Sequence, residues 1–256
     1  MRLCIIGGGA MGGAVAAGLL RTMQPGEFEI AVGTPHPEKV RALADAGAAV
    51  SASNREAASG ANCVILAVKP WVLPDAVSDI RGALKPGAEV CAIVAGVSCE
   101  DFRAMFGEEC PEALSIAMPN TAMTAGESMT FITQVCGSAR LACAIFNRLG
   151  HTEVIEERLL PGATALASCG IAYAMRYVRA ACEGGVELGF RASEAQRIVA
   201  QTLRGAAALL DREGAHPETE IDKVTTPGGL TICGLNAMER AGFTNAVIEG
   251  LKASVK

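Results

Sequence analysis

Six glycines fall within the eighteen residues from Leu3 to Leu20, and their spacing narrows the fold more than any other feature of the chain. Leu3-Cys4-Ile5-Ile6 is a short apolar run that predicts a buried parallel strand. It leads directly into Gly7-Gly8-Gly9-Ala10-Met11-Gly12, which fits G-x-G-x-x-G at Gly7, Gly9 and Gly12. Gly7 permits a tight turn out of the strand. Gly9, without a Cβ, lets a pyrophosphate approach the backbone, and Gly12 lets the next helix pack closely on the sheet. That helix, predicted from Ala10 to about Leu20, turns its N-terminus and its unpaired N–H groups toward the phosphates. The same uncharged run imitates a signal peptide or a membrane helix. The glycines argue against both, and no other stretch is long and apolar enough to span a bilayer.

The segments that follow alternate as a βα series should. Strands are expected at Phe28 to Val32, Ala61 to Val68, Glu89 to Val94 and Leu114 to Met118, with Val40 and Leu43 at helical spacing between Glu38 and Ala46. After Ile155 the pattern becomes helical. Ala163 to Ala181 reads as a buried helix, and Ala192 to Asp211 carries a stripe of Ile198, Val199, Leu203, Ala206, Leu209 and Leu210. The fold class is therefore α/β. A Rossmann-type dinucleotide-binding domain over residues 1–157 precedes an all-α domain over 158–256, the latter apolar enough that burial against a second copy is the simplest account.

The second predicted strand ends Val32-Gly33-Thr34-Pro35-His36-Pro37, with no Asp or Glu to hold the ribose 2′-hydroxyl of NAD. NADP is expected on that ground, with NADPH preferred over NADH and Thr34, His36 and Lys39 near a 2′-phosphate. An exposed loop histidine is an equal reading of His36. Half of the residues are hydrophobic, the mean hydropathy is +0.32 and the net charge is −5, which offers no basic field for nucleic acid and no patch for a membrane surface. Ten cysteines occur without a CxxC pair and beside only three histidines, so neither a disulfide scaffold nor a zinc site is expected. Cysteine reads instead as a small buried hydrophobe in a reducing, cytoplasmic setting.

Several later segments resemble the pyrroline-5-carboxylate reductase family. They are Ala67-Val68-Lys69-Pro70, Ala95-Gly96-Val97 and Met118-Pro119-Asn120-Thr121. Most specific is Thr225-Thr226-Pro227-Gly228-Gly229-Leu230-Thr231, followed by Gly234-Leu235 and Ala241-Gly242-Phe243. The match runs from residue 3 to about 245. The resemblance implies a Rossmann domain, a helical domain forming an interlocked homodimer, and reduction of 1-pyrroline-5-carboxylate to proline with NADPH or NADH. It also implies cofactor contacts at Ala67, Val68, Lys69, Pro70, Ala95, Gly96 and Asn120, with Asn54 near the adenosine half. The sequence departs from the family over Ala165 to Tyr173, where Ala167, Ser168, Cys169 and Ile171 stand for the usual Ser, Gly, Ser and Pro. Ala122, Ser128 and Pro161 depart as well.

The Pro227-Gly228-Gly229 turn precedes a helical pattern and so offers a substrate carboxylate the free N–H groups of a helix start. Thr226, Gly228, Gly229, Leu230 and Thr231 form the expected substrate site, with Thr231 donating to the ring nitrogen. An ordinary helix-start turn explains Pro-Gly-Gly equally well when the resemblance is set aside. Two rival readings remain. One is a reductase of another substrate on this scaffold, such as a different cyclic imine acid or a hydroxyacid; the latter needs a helical-domain lysine, and Lys223 alone lies between Lys85 and Lys252. The other is a catalytically weak nucleotide-binding sensor. Assembly beyond a dimer stays open.

Overall fold

The computed structural model describes residues 1–24 and 26–255, and the chain divides into two compact units, Met1–Ser168 and the segment from Cys169 onward. The first unit is built on strands β1 (Arg2–Ile6), β2 (Glu29–Gly33), β3 (Ala49–Ser51), β4 (Cys63–Leu66), β5 (Glu89–Ala92), β6 (Ala113–Met118), β7 (Ser128–Cys136) and β8 (Gly150–Val154). Its helices are α1 (Ala10–Thr22), α2 (Arg41–Asp45), α3 (Asn54–Ala58), α4 (Leu73–Arg81), α5 (Cys99–Phe106), α6 (Arg140–Phe146) and α7 (Leu160–Ala163). The sheet order is β3-β2-β1-β4-β5-β6-β7-β8. The first six strands are parallel, β7 runs antiparallel to β6, and β8 is parallel to β7.

The pleat explains why the central strands read as unbroken apolar runs. Leu3, Ile5, Cys63, Ile65 and Cys91 join one core layer with Val15 and Leu19 of α1 and with Ile145 and Phe146 of α6. Cys4, Ile6, Val64, Leu66 and Val90 join the opposite layer with Leu73, Val77 and Ile80 of α4 and with Phe102 and Phe106 of α5. Both faces are covered, so neither parity can be polar. The expected reading of cysteine as a buried hydrophobe holds for Cys4, Cys63 and Cys91. It does not hold for Cys233, which is exposed on one face of a surface helix, and six others are only half-buried.

Glu89 is the one charged side chain buried in a strand among the described residues. It opens β5 at 4% exposure, and its two carboxylate oxygens accept the backbone N–H groups of Leu141 and Ala142 at 2.8 and 2.7 Å. The helix α6 has no side-chain cap of its own, so a strand carboxylate supplies it from across the core. Glu89→Ala leaves both N–H groups without a partner, and denaturant unfolding should show a loss of about 3 kcal/mol. Burial raises the Glu89 pKa above the usual carboxylate range, and the two donors offset this only in part. A carboxyl raised on folding contributes fully below its unfolded pKa, and that contribution fades as pH rises through the raised value. Stability should therefore decline with rising pH just above the ordinary carboxylate range, and Glu89→Gln should flatten that slope.

The second unit holds α8 (Gly170–Glu187), α9 (Ala192–Leu210), α10 (Pro217–Val224), α11 (Leu230–Arg240) and α12 (Phe243–Ala253). Helices α8 and α9 approach closely at Gly185, where an added Cβ would meet the Ala195 methyl at 2.9 Å. Tyr173 of α8 donates to the carbonyl of Gly250 on α12 at 3.2 Å. Ala195 is the single buried residue among the described residues of this unit. The expectation of a buried helix over Ala163 to Ala181 is therefore corrected. The segment is α7, a wider π turn at Thr164–Cys169, and the start of α8, with Met175 64% exposed and Tyr173 and Tyr177 each 39% exposed. With one buried residue among those described, the five helices leave apolar faces exposed within one chain.

Candidate active site

The cleft of the first unit lies at the C-terminal ends of the parallel strands. The chain leaves β1 through Gly7, whose φ of +103° only glycine adopts readily and whose added Cβ would lie 2.5 Å from the Ala67 carbonyl oxygen. At Gly12 an added Cβ would lie 1.9 Å from the Gly7 carbonyl oxygen, so the first turn of α1 sits directly on the loop. Gly9 differs from both. It is the extended N-cap of α1, and an added Cβ there would meet nothing within 4 Å. The backbone at Gly9 borders open cleft, with the first-turn N–H groups of α1 beside it. This is the geometry that accepts a pyrophosphate.

Gly7, Gly9, Ala10, Met11, Thr34, Ala67, Val68, Lys69, Pro70 and Ala95 all line one cleft of about 510 Å³. Gly12 stands behind it as the packing contact just described. Lys69 is exposed on the wall and brings an ammonium to the cleft. Asn54 lines an adjoining cleft of about 430 Å³ that shares Gly7, Pro35, Val68 and Val72 with the first. Three expected contacts lie elsewhere. His36 sits outside the lining and pairs with Glu38 at 3.3 Å, as an exposed loop histidine would. Gly96 occupies a turn with φ of +77° beyond the cleft wall. Asn120 is buried with its side chain engaged, its oxygen accepting from Ala122 N at 3.0 Å and its amide nitrogen donating to the Ala167 carbonyl at 3.4 Å. Met118 and Pro119, just before it, line the cleft instead. Ser53 and Asp79, also on the wall, gave no sequence signal, because α3 and α4 reach the cleft only through the fold.

The substrate residues expected from the sequence lie together in the second unit. After α10 the chain turns with Gly228 at φ of +70°, and Gly229 N donates to the Thr226 carbonyl at 2.9 Å. An added Cβ on Gly229 would stand 2.5 Å from the Thr226 hydroxyl and 3.0 Å from its carbonyl oxygen, so a side chain there would crowd the turn that Gly228 makes with its positive φ. Gly229 is the N-cap of α11 and offers no side-chain acceptor, which leaves the N–H groups of Leu230, Thr231 and Ile232 to whatever binds there. Leu230 is 92% exposed, and Thr231 is exposed as well. Lys223 lies at the end of α10 in an exposed ion pair with Glu220 at 2.5 Å, not in a catalytic setting.

Other chemistries find little support. Burial raises the Cys4 and Cys91 thiols to about 12 and the Cys63 thiol well above its usual range, so none is a thiolate near neutral pH. Among the described residues no group of three or more His, Cys, Asp or Glu side chains is placed to hold a metal ion. No described helix is long and apolar enough to cross a membrane.

Residues 157–256 match the family model for pyrroline-5-carboxylate reductase dimerisation, and residues 2–96 match that for NADP oxidoreductase, coenzyme F420-dependent. The chain is 38% identical to pyrroline-5-carboxylate reductase 1 of Dictyostelium discoideum over 98% of its own length, though it spans only 48% of that longer protein. It is 35% identical to the pyrroline-5-carboxylate reductase of Synechocystis over 100% of this chain and 96% of the relative. The fold also matches the crystal structure of Plasmodium falciparum pyrroline carboxylate reductase with NADP bound, with a TM-score of 0.85 and 24% identity, over 100% of this chain and 95% of that one. A glycine-locked dinucleotide cleft, a Thr-Pro-Gly-Gly helix start and full-length relatedness to the Synechocystis enzyme lead to one assignment: the chain belongs to the pyrroline-5-carboxylate reductase family.

Proposed function

We propose that this protein reduces the C=N bond of 1-pyrroline-5-carboxylate to give L-proline. The observation that carries the reading is the Thr226–Thr231 turn, whose Gly-Gly leaves a helix N-terminus without a side-chain cap in a chain that also holds a dinucleotide cleft. When bound, the reduced nicotinamide supplies the hydride. The N–H groups at the start of α11 hold the substrate carboxylate, assisted by the helix dipole. The Thr226 hydroxyl shapes the turn, and Thr231, one residue into the helix, donates a hydrogen bond to the imine nitrogen. A threonine hydroxyl is too weak an acid to deliver the proton itself, so the substrate enters as the iminium or is protonated through water. In the first unit Lys69 pairs with phosphate, and the α1 N-terminus receives the pyrophosphate.

The exposed apolar faces of α8 and α9, with Met175 and Ile198 among them, support a homodimer formed through the second unit. The test follows loss of reduced nicotinamide absorbance with pyrroline-5-carboxylate, with NADPH and NADH in parallel, on a preparation expected to sediment at twice the chain mass. Turnover supports the reading. Tight cofactor binding without turnover would sink the proline assignment, and a monomer at working concentration would sink the dimer.

A further inference from the structure

The adenosine end of the cleft contains a polar pair that the proposed chemistry does not use. Asn54 opens α3, and Asp79 stands on α4; both line the cleft together with Gly33 and Pro35 at the end of β2. The Asn54 amide nitrogen donates to Asp79 Oδ2 at 2.9 Å. A carboxylate accepts hydrogen bonds and does not donate them, so this contact fixes which way round the amide sits. Its oxygen is turned the other way, where an added Cβ on Gly33 would stand 3.0 Å from Asn54 Oδ1. The last residue of the second strand is where dinucleotide enzymes that choose NAD place an acidic side chain to accept from the ribose 2′-hydroxyl. No acid stands between Val32 and Pro37 at the end of β2, and the expectation of NADPH rested on that absence. The fold instead brings an acceptor oxygen to that place from α3, and a carboxylate behind it from α4.

We infer that Asp79 sets the cofactor preference of this cleft, holding Asn54 as an acceptor for the ribose 2′-hydroxyl of NADH and against the 2′-phosphate of NADPH. Two effects act in the same direction. On the side facing Gly33 the amide offers its oxygen, an acceptor that a 2′-phosphate cannot use, and turning the amide over to donate from that side would break its bond to Asp79. The Asp79 carboxylate also repels the added negative charge. Arg55, the one cation among the residues lining this part of the cleft, opposes them. Its guanidinium lies beside Gly82, one turn beyond Asp79, 3.5 Å from where a Gly82 Cβ would be. Asp79 is thus a positioning residue acting through Asn54.

The inference rests on the reading of this cleft as the dinucleotide site, and the experiment separates the two. NADH and NADPH are each titrated against the full-length protein by nicotinamide fluorescence, for the wild type, Asp79→Asn, Asn54→Ala and the double variant. Asp79 is exposed and Asn54 only half-buried, so folding should survive. Asp79→Asn should shift the ratio of Kd values toward NADPH by roughly tenfold, the scale of one charge-assisted contact. The shift should shrink in the Asn54→Ala background to the part carried by direct charge repulsion, because the remainder acts through the amide. In turnover it should fall on the cofactor KM and leave kcat unchanged. Equal weakening of both cofactors, or an unchanged ratio with both still bound, overturns the inference. Failure of the wild type to bind either cofactor overturns the cleft assignment itself, and the inference with it.

Discussion

Gly12→Ala should destabilise the first unit by about 3 kcal/mol or more, whereas Gly9→Ala, three residues earlier, should leave stability nearly unchanged and still abolish tight cofactor binding. The two glycines belong to one motif, yet the structure assigns them opposite work. At Gly12 the new methyl would enter the 1.9 Å gap to the Gly7 carbonyl oxygen, and the Ala67 Cβ closes the other side at 3.0 Å. Backbone cannot yield there without lifting α1 off β1 and β4, whose ends define the cleft. At Gly9 the methyl meets nothing within 4 Å and points into the space a pyrophosphate takes. Thermal unfolding and NADPH titration of the two variants side by side check this. A stable Gly12→Ala protein, or a Gly9→Ala protein that binds as tightly as the wild type, would remove the physical basis for the assignment.

Thr231→Ala should lower kcat for the imine about a hundredfold, the usual cost of one hydrogen-bond donor at a reacting centre. NADPH affinity should stay as it was, because Thr231 lies in the second unit and the cofactor cleft is built wholly from the first. Thr231→Ser should recover most of the rate by restoring the hydroxyl. Steady-state kinetics of the three proteins with saturating cofactor decide the matter, and unchanged turnover in the alanine variant would show that the hydroxyl has no part in the reaction.

The sequence was legible where one local contact dictates one residue type. Gly7 and Gly12 announce a strand-loop-helix junction because nothing larger fits, and strands β1, β4, β5 and β6 announce themselves because burial on both faces leaves runs that are apolar or nearly so. Legibility failed where the third dimension does the selecting. The strand β7 alternates too weakly to read, with Thr130 and Thr133 buried among apolar neighbours, and its antiparallel pairing with β6 leaves no mark in composition. Asp79 lies 25 residues from Asn54 and meets it only because α3 and α4 pack side by side. Asn120 sits in a telling motif, but its polar atoms hold a turn together, which spacing alone does not reveal. The buried-helix expectation for Ala163 to Ala181 read apolar composition correctly and misjudged what covers it, since a single chain exposes that face.

With Ala195 as the single buried residue among those described in its second unit, this chain has divided its stability into two kinds. The first unit has a core of its own, and its unfolding free energy is a property of one molecule. The five helices beyond Ser168 have one buried residue among those described, and a unit without a core of its own draws its stability from whatever covers it. Their stability is therefore governed by mass action: it grows with the concentration of whatever covers them and falls on dilution, while that of the first unit does not.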